Sequence, residues 1–393
     1  MGGCTAEPSG LACFLAADPA RLRGARFTGV PIPGVNRIDW SALATDATME
    51  TLFVTPELRA GFEAGRVRFL PQHYSRAAMR LATPGHVAAA VIRVAEPREG
   101  AVSLGPTADF APHVIAGGAR LFAQIDPALP SPPGAPRVAL DRFEAVVEDG
   151  APLPELAPTA ASGPMARIGE RIAALVPERA TLQLGLGKVQ AAVLAALEGR
   201  RGLRFHGGMI SDATMDRIED GTFSRGVTTG VAIGTRALYD WAAGRADVAY
   251  REVGHTHRAA VLSGLERLVS VNAVLSVDLF GQAVADMIDA RQVSGHGGLV
   301  DFARGAAMSE GGLSILACAS TAGRDGPSRI VARPRGGAAT VMRGDADWVV
   351  TEHGAAHIAD LDVDARAEAL VAIAAPEHRD ALARDWAAMR AAM

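Results

Sequence analysis

With 393 residues, of which 49% are hydrophobic and 21% charged, the chain is long enough for two domains with separate cores. Its formal net charge is −4, from 39 basic and 43 acidic residues, and the basic residues form no long runs, which argues against nucleic-acid binding. The chain contains no apolar run of about 18 residues, so we expect no membrane span, and its first residues lack the pattern of a secretory signal.

The three cysteines are isolated from one another in the sequence. Cys4, Cys13 and Cys318 form no CxxC pair, so they predict neither a disulfide framework nor a zinc site. We therefore expect a reducing, cytoplasmic location. Cys13 and Cys318 stand among apolar residues, which predicts that both are small core residues.

Short β-rich runs alternate with helical segments in the first part of the chain. The predicted strands are 26–30, 51–55, 67–70 and 87–94, and the predicted helices are 56–64, 75–81 and 111–119. Strands that alternate with helices of about ten residues are typical of parallel α/β sheets. We therefore expect an α/β fold built on parallel sheets.

A Pro/Ala-rich stretch, from Ala151 to Pro164, interrupts this alternation. Extended segments with few backbone donors suit a connection between domains. The sequence therefore predicts an N-terminal α/β domain over residues 1–160 and a C-terminal α/β domain over residues 161–393.

The alternation resumes after this connection. The predicted helices are 165–176 and 189–197, the predicted strands are 181–184, 268–271, 313–317 and 348–351, and closing helices are predicted within 363–393. The charges in the last segment recur at helical spacing, which is the basis of that prediction.

Two glycine-containing turns are candidate binding sites. Gly185 and Gly187 stand between a predicted strand and a predicted helix, where backbone N–H groups can hold an anion. Gln190 replaces the third glycine of a dinucleotide motif, so the turn is either an anion site or only a tight connection. The second turn, 294–298, precedes a predicted helix, and its glycines serve either to point N–H groups at an oxyanion or only to allow positive φ.

A series of motifs, in the same order along the chain, resembles the acetyl-CoA hydrolase/transferase family, a class of CoA-transferases. The matching segments are 3–8, 32–37, 69–75, 103–110, 182–187, 205–212, 272–282, 294–306 and 350–354. The resemblance implies two Rossmann-like parallel-sheet domains of the CoA-transferase (NagB/RpiA-like) fold, with the active site between them. It also implies an acyl-CoA or CoA substrate, no permanently bound cofactor, and a homo-oligomer, either a dimer or a tetramer.

This chain departs from the family pattern at three positions. The segment 269–282 resembles the family's active-site strand, and Ser276 stands where the family has the glutamate that attacks the thioester. His296 lies in the glycine loop, where small apolar residues are usual. Ala359 replaces an arginine, which we expect to weaken contacts with CoA or a partner.

The serine leaves several chemistries open. A serine ester cannot pass its acyl group through an enzyme–CoA thioester, because that thioester requires a carboxyl group. One hypothesis is that Ser276 attacks the thioester with His296 as base, and another is that water attacks with the same base. Period-2 alternation places Asp278 on the same face as Ser276, in a catalytic or, more in keeping with the family, a supporting role.

The predicted activity is therefore cleavage of an acyl-CoA thioester by hydrolysis or acyl transfer. The alternatives are a CoA-transferase that uses a substitute carboxylate, and an inactive homologue that binds CoA or a partner. The candidate catalytic residues are Ser276, His296 and Asp278; the candidate oxyanion or CoA-binding residues are Gly295, Gly297, Gly298, Asn272, Gly185 and Gly187; and the candidate cleft residues are His73, His206, Glu352 and His353. His255 and His257 lack a clear third ligand, so no metal is expected.

Overall fold

The computed structural model describes residues 4–323, 326–334 and 337–393, so Gly3 of the 3–8 motif lies outside the described residues. In the first part of the chain the strands are β1 (Arg26–Gly29), β2 (Thr48–Thr51), β3 (Val67–Phe69), β4 (Ala89–Val94), β5 (Ala101–Ser103), β6 (Arg120–Ile125), β7 (Arg137–Ala139) and β8 (Phe143–Glu148). The α-helices there are α1 (Ser9–Ala16), α2 (Arg59–Glu63), α3 (Tyr74–Leu81) and α4 (Ala111–Ala116). Short 3-10 helices are found at Cys4–Ala6, Pro19–Leu22, Trp40–Ala42 and Leu140–Arg142.

The same alternation continues beyond the proline-rich stretch. The strands there are β9 (Thr181–Leu184), β10 (Arg204–His206), β11 (Met209–Ile210), β12 (Val227–Thr229), β13 (Val231–Ala232), β14 (Val248–Tyr250), β15 (Leu268–Ala273), β16 (Ser276–Asp278), β17 (Ala283–Val284), β18 (Met287–Ile288), β19 (Arg291–Gln292), β20 (Leu313–Ala317), β21 (Ile330–Val331), β22 (Trp348–Thr351) and β23 (Gly354–His357). The α-helices are α5 (Pro164–Leu175), α6 (Lys188–Ala196), α7 (Asp212–Glu219), α8 (Arg236–Ala243), α9 (Val253–Thr256), α10 (Ala259–Leu262), α11 (Leu299–Met308), α12 (Val363–Ala372) and α13 (Pro376–Ala391).

The chain forms two compact units. The first holds Met1–Pro158, Gly207–Met215 and Gly226–Arg258, and the second holds Thr159–His206, Asp216–Arg225 and Ala259–Met393. The first unit thus includes two segments from beyond the proline-rich stretch. The division into domains 1–160 and 161–393 stays a prediction, while the α/β class with parallel sheets is confirmed.

In the first unit, parallel strands form the sheets β1-β2-β3 and β4-β6-β8. Arg93, the penultimate residue of β4, is fully buried, and its Nε donates to Asp126 Oδ2 over 2.7 Å. The same guanidinium donates to the carbonyl oxygens of Ala151 and Pro152. A buried charge is tolerated only when it is paired and hydrogen-bonded in this way. Arg93 therefore holds the start of the proline-rich connection, where residues 151–162 form neither helix nor strand.

In the second unit, strands lie side by side in the order β10-β9-β15-β20-β22-β23. All neighbouring pairs up to β22 are parallel, and β23 returns antiparallel to β22. The residues of β9, β15, β20 and β22 are almost all buried, as expected for parallel strands that are covered on both faces. Because parallel strands end at the same edge of their sheet, the loops after them meet there.

The expectation that the segment 269–282 forms one continuous active-site strand is wrong. It divides into β15 and β16, and β16 belongs to a separate sheet with the order β17-β16-β21. The amide of Val274 still donates to Ala317 O, over 3.0 Å, but the next amide, Leu275 N, donates to Val284 O over 2.7 Å. The chain therefore passes from one sheet to the other between two consecutive residues.

Two further predictions are wrong. The strand expected at 51–55 lies at Thr48–Thr51, because Thr51 Oγ1 accepts a hydrogen bond from Phe53 N over 3.2 Å and turns the chain away. Cys13 is exposed on α1, whereas Cys318 is buried as expected. Among the described residues, no helix combines the length and apolar character needed to cross a membrane.

Candidate functional site

Several predicted site residues lie at the carboxyl edge of the second unit's parallel strands. His206 ends β10, Gly185 and Gly187 follow β9, Asn272 stands near the end of β15, and Glu352 and His353 follow β22. Ligands of open parallel sheets bind outside the carboxyl ends of the strands. The sheet thus gathers residues that are up to 168 positions apart in the sequence at one edge.

Asn272 belongs to a buried polar network within this sheet. Its Nδ2 donates to Ser270 Oγ over 2.8 Å and to Gln183 Oε1 over 3.4 Å. Ser270 Oγ in turn donates to Gln183 Oε1 over 2.8 Å, across the paired strands β9 and β15. A satisfied buried network of this kind holds its members in fixed orientations. A direct CoA contact by Asn272 stays a prediction.

The Gly185–Gly187 turn leads directly into α6. Gly187 occupies the N-cap position with φ of +127°, a conformation that favours glycine. A Cβ at this position would also lie 3.0 Å from Gln190 Oε1. Glycine is therefore required at Gly187 for the turn itself, and anion binding there stays a prediction.

Ser276 stands in the middle of a row that crosses the β17-β16-β21 sheet. It pairs with Val284 of β17 on one side. On the other side Val277 pairs with Ile330 of β21, and Val277 N donates to Arg329 O over 2.8 Å. Ser276 and Arg329 immediately precede that pair, so period-2 alternation directs both side chains to the face opposite the core.

This row lines an open pocket of about 160 Å³. Its wall is formed by residues at the start of β16, in β17, in the β18–β19 hairpin, and in and before β21: Leu275, Ser276, Val284, Met287, Ile288, Asp289, Ala322, Pro327, Ser328, Arg329 and Val331. Val277 and Ile330, on the opposite face, are fully buried. Ser276 is thus held at a pocket surface by a core that packs behind it.

Arg329 was not among the residues predicted from the sequence. Its guanidinium makes neither a salt bridge nor a hydrogen bond with the described part of the chain, and it is partly exposed. The neighbouring Ser276 hydroxyl likewise has no hydrogen-bond partner within the described ranges. The one available signal was the charged residue directly before the short β-rich run Ile330–Val331, but only the strand register shows what it lies beside.

Asp278 is committed to the turn that follows its strand. Its Oδ1 accepts from Phe280 N over 3.0 Å and from Gln282 N over 2.8 Å, and its Oδ2 accepts from Gln282 Nε2 over 2.9 Å. The side chain is buried, and burial raises its pKa against the opposing effect of these hydrogen bonds. These contacts favour the structural role over a reacting one.

Glu352 is held in a similar way at the end of β22. Its two carboxylate oxygens accept from Ser320 N over 2.8 Å and from Ser320 Oγ over 2.9 Å. Only 7% of the residue is exposed. The next residue, His353, is exposed, and its backbone N donates to Thr351 Oγ1 over 3.1 Å.

The predicted glycine loop leads into α11, as expected. Gly298 is the N-cap residue of this helix, and Gly297 has φ of +56°. His296 Nδ1 lies 3.1 Å from Gly297 O. Within the described ranges, the wall of the Ser276 pocket does not include residues 294–298. A Ser276–His296 pair and oxyanion binding by Gly295, Gly297 and Gly298 therefore stay predictions.

The missing arginine at Ala359 has a structural counterpart. Arg366 of α12 donates from Nη2 to Ala359 O over 3.4 Å and from Nη1 to Phe280 O over 3.1 Å and Arg343 O over 2.7 Å. A guanidinium thus still contacts this loop, and it also supports the turn after Asp278. Burial, followed by the charge of Arg343, lowers the pKa of Arg366.

The first unit contains a separate polar cluster around Asp109, which is also one of the residues that line a mainly apolar pocket. Cys4 Sγ donates to Asp109 Oδ2 over 3.5 Å, and the ring of Tyr74 packs against Phe110 and His257. Burial raises the pKa of Asp109 to about 7. His73, the remaining cleft candidate, precedes α3 at its N-cap position. The described residues of both units form no group of three or more His, Cys, Asp or Glu side chains that could hold a metal ion.

Comparison with known proteins gives consistent matches. Residues 234–386 match the model of the acetyl-CoA hydrolase/transferase C-terminal domain. A 4-hydroxybutyrate coenzyme A transferase from Clostridium kluyveri is 34% identical over 307 residues, which are 76% of this chain and 72% of that protein.

Solved structures agree over nearly the whole length. The 4-hydroxybutyrate CoA-transferase of Porphyromonas gingivalis is 27% identical, with a TM-score of 0.79 over 98% of this chain and 97% of that one. A variant of RipA, also 27% identical, reaches a TM-score of 0.92 over 99% of this chain and 93% of that one. From these matches and the motifs in common order, the chain belongs to the acetyl-CoA hydrolase/transferase family.

Proposed function

We propose that this protein is an enzyme that cleaves the thioester of an acyl-CoA in the Ser276 pocket, and that a second substrate supplies the attacking group. The family membership supports an acyl-CoA hydrolase or transferase. The named relatives are CoA transferases, which supports the CoA thioester as the substrate. No cofactor is needed for this chemistry, because thioesters react readily with nucleophiles once their carbonyl oxygen is stabilised.

The observation that carries the proposal is the position of Ser276. Its side chain lines an open pocket, next to a cationic side chain, instead of packing into the core. The hydroxyl is much smaller than a glutamate side chain, so this position offers space in place of an enzyme carboxylate. The space is open to a nucleophile that arrives with the second substrate.

The nearby carboxylates favour an external nucleophile. Asp278 accepts three hydrogen bonds from its own turn, and Glu352 accepts two from Ser320. Moving either carboxylate into the pocket would leave several buried donors unsatisfied, at a cost of about 1–3 kcal/mol each. Asp289 lies at the pocket wall but is exposed, so it is the one substitute carboxylate that an experiment has to exclude.

The pocket wall also favours a non-covalent role for Ser276. A serine is a poor nucleophile without a base within hydrogen-bond reach. None of the described residues of the wall is a histidine. Ser276 then contributes a small side chain and a hydroxyl that can donate to a bound oxygen.

The test is a panel of acyl-CoA esters, each incubated with the protein alone and with a mixture of carboxylic acids. Thiol release and new acyl-CoA products are measured together, by a colorimetric reagent and by chromatography. We expect consumption of at least one acyl-CoA and no covalent acyl adduct in the intact mass of quenched enzyme. Absence of consumption across the panel, or an acyl adduct that Ser276→Ala removes, would overturn the proposal.

A further inference from the structure

We propose that the Ser276 pocket binds the carboxylate of a free carboxylic acid against Arg329, and that this carboxylate attacks the acyl-CoA directly. The acid then performs the step that would otherwise need a carboxylate of the enzyme. This inference rests on the proposed function and narrows it, because it names the second substrate and the order of bond changes.

The first support is the pairing of a hydroxyl with a cation. Strand register places Ser276 and Arg329 next to each other on one face of the sheet. Neighbouring strands lie about 4.8 Å apart, so a single carboxylate can reach both side chains. A guanidinium offers parallel N–H donors that match a carboxylate, and the hydroxyl supplies one more.

The second support is that the guanidinium of Arg329 makes no hydrogen bond or salt bridge within the described part of the chain. Two other arginines of this unit are occupied, since Arg366 donates to three backbone carbonyl oxygens and Arg304 pairs with Asp345 over 3.2 Å. Arg329 has no such partner among the described residues. A cation in a partly enclosed pocket attracts anions more strongly than one in bulk water.

The third support is the shape of the wall around this pair. Most of the remaining wall is apolar, contributed by Leu275, Val284, Met287, Ile288 and Val331. The β18–β19 hairpin that closes one side turns through Asp289 and Ala290, whose φ angles are +45° and +64°. Two positive φ values in a two-residue hairpin turn fix its shape. The wall thus suits a short aliphatic chain, with the carboxylate at the Ser276–Arg329 end.

The chemistry balances without any enzyme-bound intermediate. One carboxylate oxygen of the acid attacks the thioester carbonyl carbon, an anhydride forms, and CoA leaves as the thiolate. The thiolate then attacks the other carbonyl carbon of the anhydride, the one that came from the acid. The products are the new acyl-CoA and the carboxylate of the original acyl group, which keeps the attacking oxygen. Arg329 stabilises the carboxylate before attack and the carboxylate that leaves afterwards.

The decisive experiment is a single turnover with excess enzyme, unlabelled acyl-CoA and an acid whose two oxygens are ¹⁸O. We expect one ¹⁸O atom in the released acid and one in the carbonyl of the new acyl-CoA. Release of unlabelled acid would show that an enzyme carboxylate, with Asp289 the first candidate, took part, and this would overturn the inference. A parallel reaction in H₂¹⁸O that labels the released acid, with no new acyl-CoA, would show hydrolysis and would also overturn it.

Steady-state kinetics with variants complete the test. Arg329→Gln should raise KM for the acid by about tenfold or more and leave KM for acyl-CoA within about twofold, because one charge-assisted pair is lost. Arg329→Lys should recover part of the loss, and Arg384→Gln, on the exposed side of α13, should change neither constant. An unchanged KM for the acid in Arg329→Gln would overturn the inference.

If the wild type consumes no acyl-CoA with any acid or with water, the proposed function itself fails, which is a separate outcome.

Discussion

Ser276 and Arg329 stand side by side on the pocket face of the β17-β16-β21 sheet, although 53 positions separate them in the sequence. Their relative position is set by the backbone, since Val277 N donates to Arg329 O directly beside them. The fully buried Val277 and Ile330 anchor the same pairing from the core side. A hydroxyl and a guanidinium are thereby presented together to one pocket, without any side-chain contact between them being needed.

Restoring a carboxylate at this position should change the kinetic mechanism. In Ser276→Glu, the new side chain reaches the space beside Arg329 and can attack the thioester itself. We expect ping-pong kinetics and an enzyme–CoA thioester that hydroxylamine cleaves, where the wild type gives sequential kinetics and no such adduct. Ser328→Glu, in the same wall, is the matched control and should give no thioester. Ping-pong kinetics in the wild type would contradict this prediction.

The Ser320–Glu352 pair should contribute to stability and not only to the site. Ser320→Ala removes one of the two donors to the buried Glu352 carboxylate. We expect the free energy of unfolding, measured in denaturant, to fall by about 1–3 kcal/mol. The exposed Ser162→Ala should change it by less than about 0.5 kcal/mol. A loss in Ser320→Ala no larger than that of the control would show that the hydrogen bond from the Ser320 hydroxyl has little net effect.

Asp109 predicts a pH dependence of stability in the first unit. Burial raises its folded pKa from 3.8 to about 7, so the folded protein holds a proton that the unfolded chain releases between those values. The contribution of Asp109 to the free energy of unfolding is therefore fully present below about pH 4. It is lost as the pH rises to about 7, and the total decrease is up to about 4 kcal/mol.

Asp109→Asn removes this titration. The stability of the wild type relative to the variant should therefore fall between pH 4 and pH 8, as followed by denaturant unfolding at each pH. The exposed Asp46→Asn is the matched charge control. A wild-type advantage that stays constant, or that grows with pH, would contradict a raised pKa.

The sequence was sufficient for those elements that are defined by local patterns. The strands 181–184, 313–317 and 348–351 have the predicted bounds, because each is a short β-rich run that ends at polar or glycine-containing segments. The helix after the 294–298 loop was predicted for a similar reason. The family and the α/β class followed from many motifs in one order.

What the sequence could not show depends on pairing between distant strands. The exchange of sheets between Val274 and Leu275 is set by competing partners on β20 and β17, and no local pattern marks it. Arg329 becomes a candidate only through the register of β21 against β16. The roles of the predicted site residues, the homo-oligomeric assembly and the cytoplasmic location stay predictions. The most direct check on assembly is the mass of the protein in solution.

The most direct measurement of the central claim compares acyl-CoA consumption by the wild type, Ser276→Ala and Ser276→Leu under identical conditions. If the pocket is the site and an external carboxylate attacks, Ser276→Ala should stay within about tenfold of the wild type, because only one hydrogen bond is lost. Ser276→Leu should lose at least about a hundredfold with an unchanged melting temperature, since its side chain occupies the space beside Arg329. Full activity in Ser276→Leu, or complete inactivity in Ser276→Ala together with an acyl adduct on the wild type, would contradict the account.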